Sequence, residues 1–136
     1  MLRIRGPDRV DRIDDPVLRR LVGERFAQVC NGESYDSAVH GEMIVAEPGD
    51  TLESLERDSG VPIATNPFDE IRYPDPDFVP VCEYLEDHSH CYEMMFLFSD
   101  DGAGINFFIP KFPGIDADLL TFCATFAVPA FDPATR

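Results

Sequence analysis

The sequence predicts an α+β fold: a mostly antiparallel four-stranded sheet, ending in a three-stranded meander, packed by a C-terminal helix and an N-terminal helix. Three observations predict it. Strand-length runs rich in aromatic and aliphatic residues, 78–86, 91–98 and 103–109, follow one another with short breaks. Asp101-Gly102, between the last two, is a strong two-residue hairpin signal. Apolar residues recur at helical spacing from Leu18 and again from Leu119, each series behind an aspartate placed to cap a helix.

Residues 1–13 read as an Arg/Asp-rich arm with little periodicity, ahead of one α+β domain over 14–136. Asp15-Pro16 is a helix start. Asp15 can accept a free backbone N–H, and Pro16 suits the first helical position, where an N–H has no partner within the helix. Leu18, Leu21, Val22, Phe26 and Val29 then share a face to about Cys30. Gly23 weakens that helix by about 1 kcal/mol relative to Ala. Asn31-Gly32 ends it, and a polar loop runs to Gly41.

Residues 43–46 are a short strand, broken at Pro48-Gly49. Asp50 opens a second helix with Glu53 three positions on, an acidic form of the capping box. Leu52 and Leu55 face inward, and Gly60 supplies a left-handed stop that lets Val61 fold back on Leu55. Prolines mixed with Asn66, Asp69, Asp75 and Asp77 make 62–77 a long loop.

In the meander, a turn at Asp101-Gly102 pairs Phe98 with Ile105, Phe96 with Phe107 and Met94 with Ile109, all on one core face. A four-residue loop after Glu86 pairs that residue with Cys91 and adds Val79, Val81 and Leu85 to the same face. Pro110 and Pro113 stop the sheet. Asp116 caps the last helix, Ile115 staples onto Leu120, and Leu119, Leu120, Cys123, Phe126 and Ala127 form its stripe before Pro129.

The 136 residues suffice for one domain with a core of its own; eleven Phe supply much of the bulk. No apolar stretch approaches the ~20 residues of a membrane-spanning helix, and charged MLRIRGPDRV is followed by no apolar run of a secretory signal. The expectation is a cytoplasmic protein with Cys30, Cys82, Cys91 and Cys123 reduced, lacking paired zinc-module spacing and serving as small buried apolar residues.

Charge is the most unusual feature. Acidic residues number 26 against 11 basic ones, for a net charge of −15. Seven of the basic residues lie in the first 25 positions beside five acids, leaving that segment at +2 and the remainder at −17. Such a surface repels phosphate backbones and anionic lipid. It excludes direct nucleic-acid or membrane binding by the main body and favours a protein partner that is basic or itself binds nucleic acid. Solubility alone would account for the acidity equally well.

Two constellations invite chemistry. Cys82, Asp87, His88, His90 and Cys91 carry metal-ligand atoms, with His88, His90 and Cys91 as the set nearest in sequence. Zinc needs its ligands to converge at ~2.0–2.3 Å, and the expected register holds Cys82 about four strand positions, ~13 Å, from the turn. No cofactor or metal is therefore expected, and His88 and His90 read as turn residues. The second constellation is the other sheet face, where Cys82, Tyr84, Glu86, Cys91, Glu93, Met95 and Leu97 fall together with Asn106 and Phe108. Glu86 and Glu93 become diagonal neighbours ~7–8 Å apart, a separation at which carboxylate pairs catalyse hydrolysis, with Tyr84 as proton donor. A catalytic pair also needs a cleft and displaced pKa values, which an open sheet face does not supply. The turns at Ser99-Asp100-Asp101-Gly102 and Asp75-Pro76-Asp77 lack the alternating oxygen ligands of a calcium loop. No nucleophile motif or phosphate-cradling glycine loop is present.

Residues 49–63, GDTLESLERDSGVPI, resemble the first half of a LysM peptidoglycan-binding repeat, but Asn66-Pro67-Phe68-Asp69 replaces its second helix. Across about 41–127, the segments EMIVAEPGDTLESLE, CYEMMFLFSDDGAGINFFIPK and PGIDADLL resemble a family of small acidic proteins carried on proteobacterial plasmids and integrative elements. That resemblance implies an accessory bacterial protein and supplies no site residues. The expected function is a non-enzymatic acidic binding or regulatory module, in its sharper form a DNA mimic or inhibitor whose carboxylates imitate phosphates. The alternatives are a small hydrolase or metal-dependent enzyme on the Tyr84/Glu86/Glu93 face, and a structural homodimer formed through that face, where Met95, Leu97 and Phe108 lie, or through the first helix.

Overall fold

Strand β5 (Gly104–Pro110) is buried along its whole length, and the rest of the molecule is assembled outward from it. The computed structural model describes residues 1–64, 80–98 and 104–130. On one side β5 pairs antiparallel with β4 (Cys91–Phe98), and β4 with β3 (Pro80–Asp87). On the other side β5 runs parallel to β2 (Glu42–Val45), which pairs antiparallel with β1 (Leu2–Ile4). A two-residue strand, β6 (Val128–Pro129), lies parallel to β3 at the far edge.

The sheet is thus six-stranded and mixed, in the order β1-β2-β5-β4-β3-β6. The α+β class and the antiparallel meander agree with the sequence reading, while the mostly antiparallel four-stranded sheet is corrected. The edge strands β1 and β6 span three and two residues, too few to show a period of two. The parallel β2–β5 pair joins segments far apart in the chain, which no turn residue announces.

Alternation in the central strands creates two cores, one on each face. Ile44, Met94, Phe96, Ile105, Phe107 and Ile109 face one way, onto Leu55 of α3 (Leu52–Ser59) and Leu119 and Cys123 of α4 (Ala117–Phe126). Met43, Val45, Cys91 and Phe108 face the other way, onto Leu18, Val22 and Phe26 of α1 (Pro16–Cys30). Each face is apolar because each is covered, as in layered folds.

The helix signals hold closely. Asp15 caps α1 by accepting from Leu18 N at 2.8 Å, and Asn31 ends it in the left-handed region. Asp116 caps α4, and Gly60 closes α3 at φ 76°. The α3 cap is Thr51 rather than Asp50: Thr51 and Ser54 exchange side-chain and backbone hydrogen bonds, and Asp50 instead accepts from Glu47 N. A short helix, α2 (Ser37–His40), occupies part of the expected polar loop. Residues 1–13 are no separate arm. They contain β1 and a 3-10 turn (Pro7–Arg12), and Ile4 and Ile13 are buried in the α1 core.

The meander register differs from expectation in pairing but not in facing. Phe96 pairs with Ile105, Met94 with Phe107, and Glu86 with Glu93 rather than Cys91. The β3–β4 link is a tight turn, in which His88 N donates to Cys91 O at 2.9 Å and Ser89 takes φ 69°. Asp87 stabilises it by accepting from Ser89 N. Each offset is two positions, so side chains keep their faces. Phe96 and Phe107 therefore meet diagonally across the hairpin, edge to face at 5.7 Å. The Asp101-Gly102 turn, the 62–77 loop beyond Ala64, Val79 and the Phe98 side chain lie outside the described residues.

One irregularity does reverse a face. β3 carries a bulge between Cys82 and Tyr84, so Glu83 has no partner in the β3–β4 register. Upstream of it, Cys82 turns into the core opposite Phe96, and Val81 turns to solvent at 48% exposure. The sequence reading placed these two the other way round, because alternation counted straight through Glu83 misses the extra residue.

Candidate functional site

The carboxylate of Glu93, 2% exposed, lies where α1 crosses the sheet. Burying a charge there is costly unless it is paired and hydrogen-bonded. Arg25 donates to it as a fork, Nε to Oε2 at 2.7 Å and Nη2 to Oε1 at 2.9 Å. Tyr84 Oη donates to Oε2 at 3.0 Å and Asn106 Nδ2 to the same oxygen at 2.6 Å. His88 Nε2 lies 2.8 Å from Oε1. An ionised carboxylate only accepts, so His88 carries a proton on Nε2 and donates it. Asn106 also reaches Tyr84 Oη, and the Arg25 guanidinium stacks 5.2 Å above the Tyr84 ring.

The elements explain the convergence. Pairing of Glu86 with Glu93 and Met95 with Asn106 gives Tyr84, Glu86, Glu93 and Asn106 one face. The tight turn returns His88 to that face. Arg25 comes from α1, inside its apolar stripe, one turn from Leu21 and Val22 and one from Val29. A cleft of about 300 Å³ opens beside the cluster, lined by Leu21, Glu24, Gln28 and Ala130 together with Arg25, Glu86, His88 and Glu93.

Electrostatics assign the roles. Burial pushes Glu93 up, but hydrogen bonds from His88 and Arg25 and the Arg25 charge more than reverse it, holding the group at about 2. Burial and the neighbouring Glu93 charge push the Tyr84 phenol well above its ordinary value. Near neutral pH Glu93 is an anion with its oxygens already occupied by donors, and Tyr84 keeps its phenol proton and donates it in a hydrogen bond to Glu93. Neither is free for acid–base work. The structure does bring together the alternative catalytic trio of Tyr84, Glu86 and Glu93, with the glutamates directly opposite rather than diagonal. Only Glu86, partly exposed, is left outside the hydrogen-bonded centre.

The alternative metal set of His88, His90 and Cys91 is not brought together. His90 Nε2 bonds to Asp15 Oδ1 at 2.8 Å and its ring packs on Phe112, while His88 turns to Glu93. Cys91 is buried in the α1 core, and burial pushes its thiol up to about 12. Cys82 and Cys123 are raised to the same value by burial, and all four cysteines are free. Sequence reasoning missed Arg25 and His88 as partners of Glu93. The available signals were an arginine inside an apolar helical stripe and the polar Asn106 within GINFFIP.

Comparison with protein-family models, curated proteins and solved structures gives no match.

Proposed function

We propose that the chain is a non-enzymatic acidic binding module for a basic protein partner. The observation that carries this reading is the fate of its cations. Every basic side chain among the described residues is engaged within the chain. Arg3 and Arg5 pair with Glu42, Arg9 with Asp8, Arg20 with Glu24, Arg25 with Glu93, Arg57 with Asp58 and Lys111 with Asp87. Arg12 and Arg19 donate to backbone carbonyls. The excess behind the net charge of −15 is left outward, with Asp11, Asp14, Glu53, Glu83 and Asp118 exposed. A field of that sign steers a cationic partner and repels nucleic acid and anionic lipid. No described helix is long and apolar enough to cross a membrane. The resemblance to small acidic proteins of plasmids and integrative elements implies an accessory protein and no particular activity. On the sheet face where a homodimer was expected, Phe108 is buried in the α1 core, while Met95 and Leu97 are only partly buried.

The test is affinity capture from the source cell with the wild-type chain and a variant carrying Glu53→Lys, Glu83→Lys and Asp118→Lys, followed by binding of the purified captured protein. The reading expects a basic partner whose affinity falls steeply with salt and with the charge reversal. A partner held equally by both chains and indifferent to salt would sink it.

A further inference from the structure

We infer that Glu86, His88 and Glu93 form a site for a divalent first-row transition-metal ion at the floor of the cleft between α1 and the β3–β4 turn. One ligand atom from each residue lies within 4.8 Å of the others, and no other trio of His, Cys, Asp or Glu among the described residues converges in this way. The placement follows from the strands. A period of two puts Glu86 and His88 on one side of β3 and its turn, and direct cross-strand pairing adds Glu93.

The donor set selects the ion. Two carboxylates with one imidazole suit zinc and its neighbours, whereas calcium and magnesium favour all-oxygen shells. An ion at ~2.0–2.2 Å from each donor holds the donors ~3–3.5 Å apart. His88 Nε2 stands 2.8 Å from Glu93 and 3.7 Å from Glu86 Oε2, distances that bracket that range. Binding needs the imidazole proton to leave Nε2 for Nδ1, and the ion then replaces that N–H against Glu93.

The surroundings are those of a ligand set. Arg25, Tyr84 and Asn106 fix the plane of the Glu93 carboxylate, as the outer hydrogen-bond partners of metal-bound carboxylates do. Glu86 and Glu93 face each other directly, a like-charge pair that is unfavourable alone and that a cation between them relieves. Arg25 offsets one of the two negative charges, so a divalent ion leaves the trio and Arg25 at a net charge of only +1. Three protein ligands leave coordination positions open to the cleft, where water or a partner's side chain can enter. Without the ion, the His88 N–H already satisfies Glu93, so the site does not depend on metal to form. Nor does it depend on the chain being an acidic binding module.

The experiment titrates the full chain near neutral pH with Zn²⁺ by calorimetry and with Co²⁺ by visible absorption. One ion per chain is expected, with a cobalt spectrum free of thiolate charge transfer. Glu86→Gln and His88→Gln should each weaken binding by about tenfold or more. His90→Gln, at a residue held elsewhere by Asp15, should leave affinity unchanged. Should His88→Gln fail to fold, Glu86→Gln, at a more exposed position, is sufficient to decide the question. Absence of a stoichiometric ion, an affinity untouched by Glu86→Gln, or a thiolate band placing the ion on a cysteine would each overturn the assignment.

Discussion

Replacing Arg25 with alanine would leave the Glu93 carboxylate buried with its strongest partner gone, and the size of that loss tells what the cluster does. Removing one member of a buried ion pair costs about 3–5 kcal/mol, because the remaining charge keeps its desolvation penalty. Arg25→Ala is expected to lose on the order of 3 kcal/mol in denaturant unfolding. Arg25→Lys should recover only part, since an ammonium cannot reproduce the fork that meets both Glu93 oxygens. A loss under about 0.5 kcal/mol, the range of ordinary surface changes, would show that Arg25 is peripheral. The sequence made Glu93 visible as one of a face of polar residues, but not as the buried centre. Its burial depends on α1 lying over that face, and a helix crossing a sheet leaves no local trace. Arg25 could be suspected only as a charge inside an apolar stripe, a pattern that long arginines also produce by reaching out to solvent.

At the scale of elements, local chemistry was legible and long-range pairing was not. Asp15, Asp116 and Gly60 mark helix ends because caps answer to the backbone groups next to them. The parallel β2–β5 pair and the Glu83 bulge answer to distant partners. The turn register erred by two positions, which preserves faces, so the core prediction survived while the Glu86–Glu93 pairing changed from diagonal to direct. The close approach of β2 to β5 makes its own prediction. Gly41 has φ 77°, and a Cβ there would collide with the Gly104 backbone. Gly41→Ala should therefore cost more than the ~1–2 kcal/mol of a left-handed residue alone. Thermal unfolding close to wild type would mean that the two segments do not touch. In the opposite core, Phe96→Ala should cost about 3–5 kcal/mol, as for other buried aromatics. A loss below about 1 kcal/mol, roughly that of a single buried methylene, would place its ring outside the core.

For the whole molecule, charge sets the conditions under which these contacts operate. A net charge of −15 repels itself, so moderate salt should raise the thermal midpoint by screening. A falling midpoint would mean that internal ion pairs outweigh that repulsion. The pairs that do matter to the interior meet in Glu93, which joins α1 to β3, β4 and β5. Its pKa of about 2 lies below the 4.5 of an ordinary glutamate. A depressed carboxylate contributes stability that is present above its unfolded value and lost as pH falls through its folded one. The window thus runs from 4.5 down to about 2 and corresponds to on the order of 3 kcal/mol. Asp15, Asp50 and Asp87 are also held low, so the wild-type acid profile alone does not isolate Glu93. The most direct measurement is unfolding free energy against pH for the wild type and Glu93→Gln side by side. The account predicts a wild-type advantage near neutrality that narrows by about 3 kcal/mol across that window, as the glutamate gains its proton. A gap constant with pH would contradict it, showing that Glu93 is not the ionised anchor that holds α1 to the sheet.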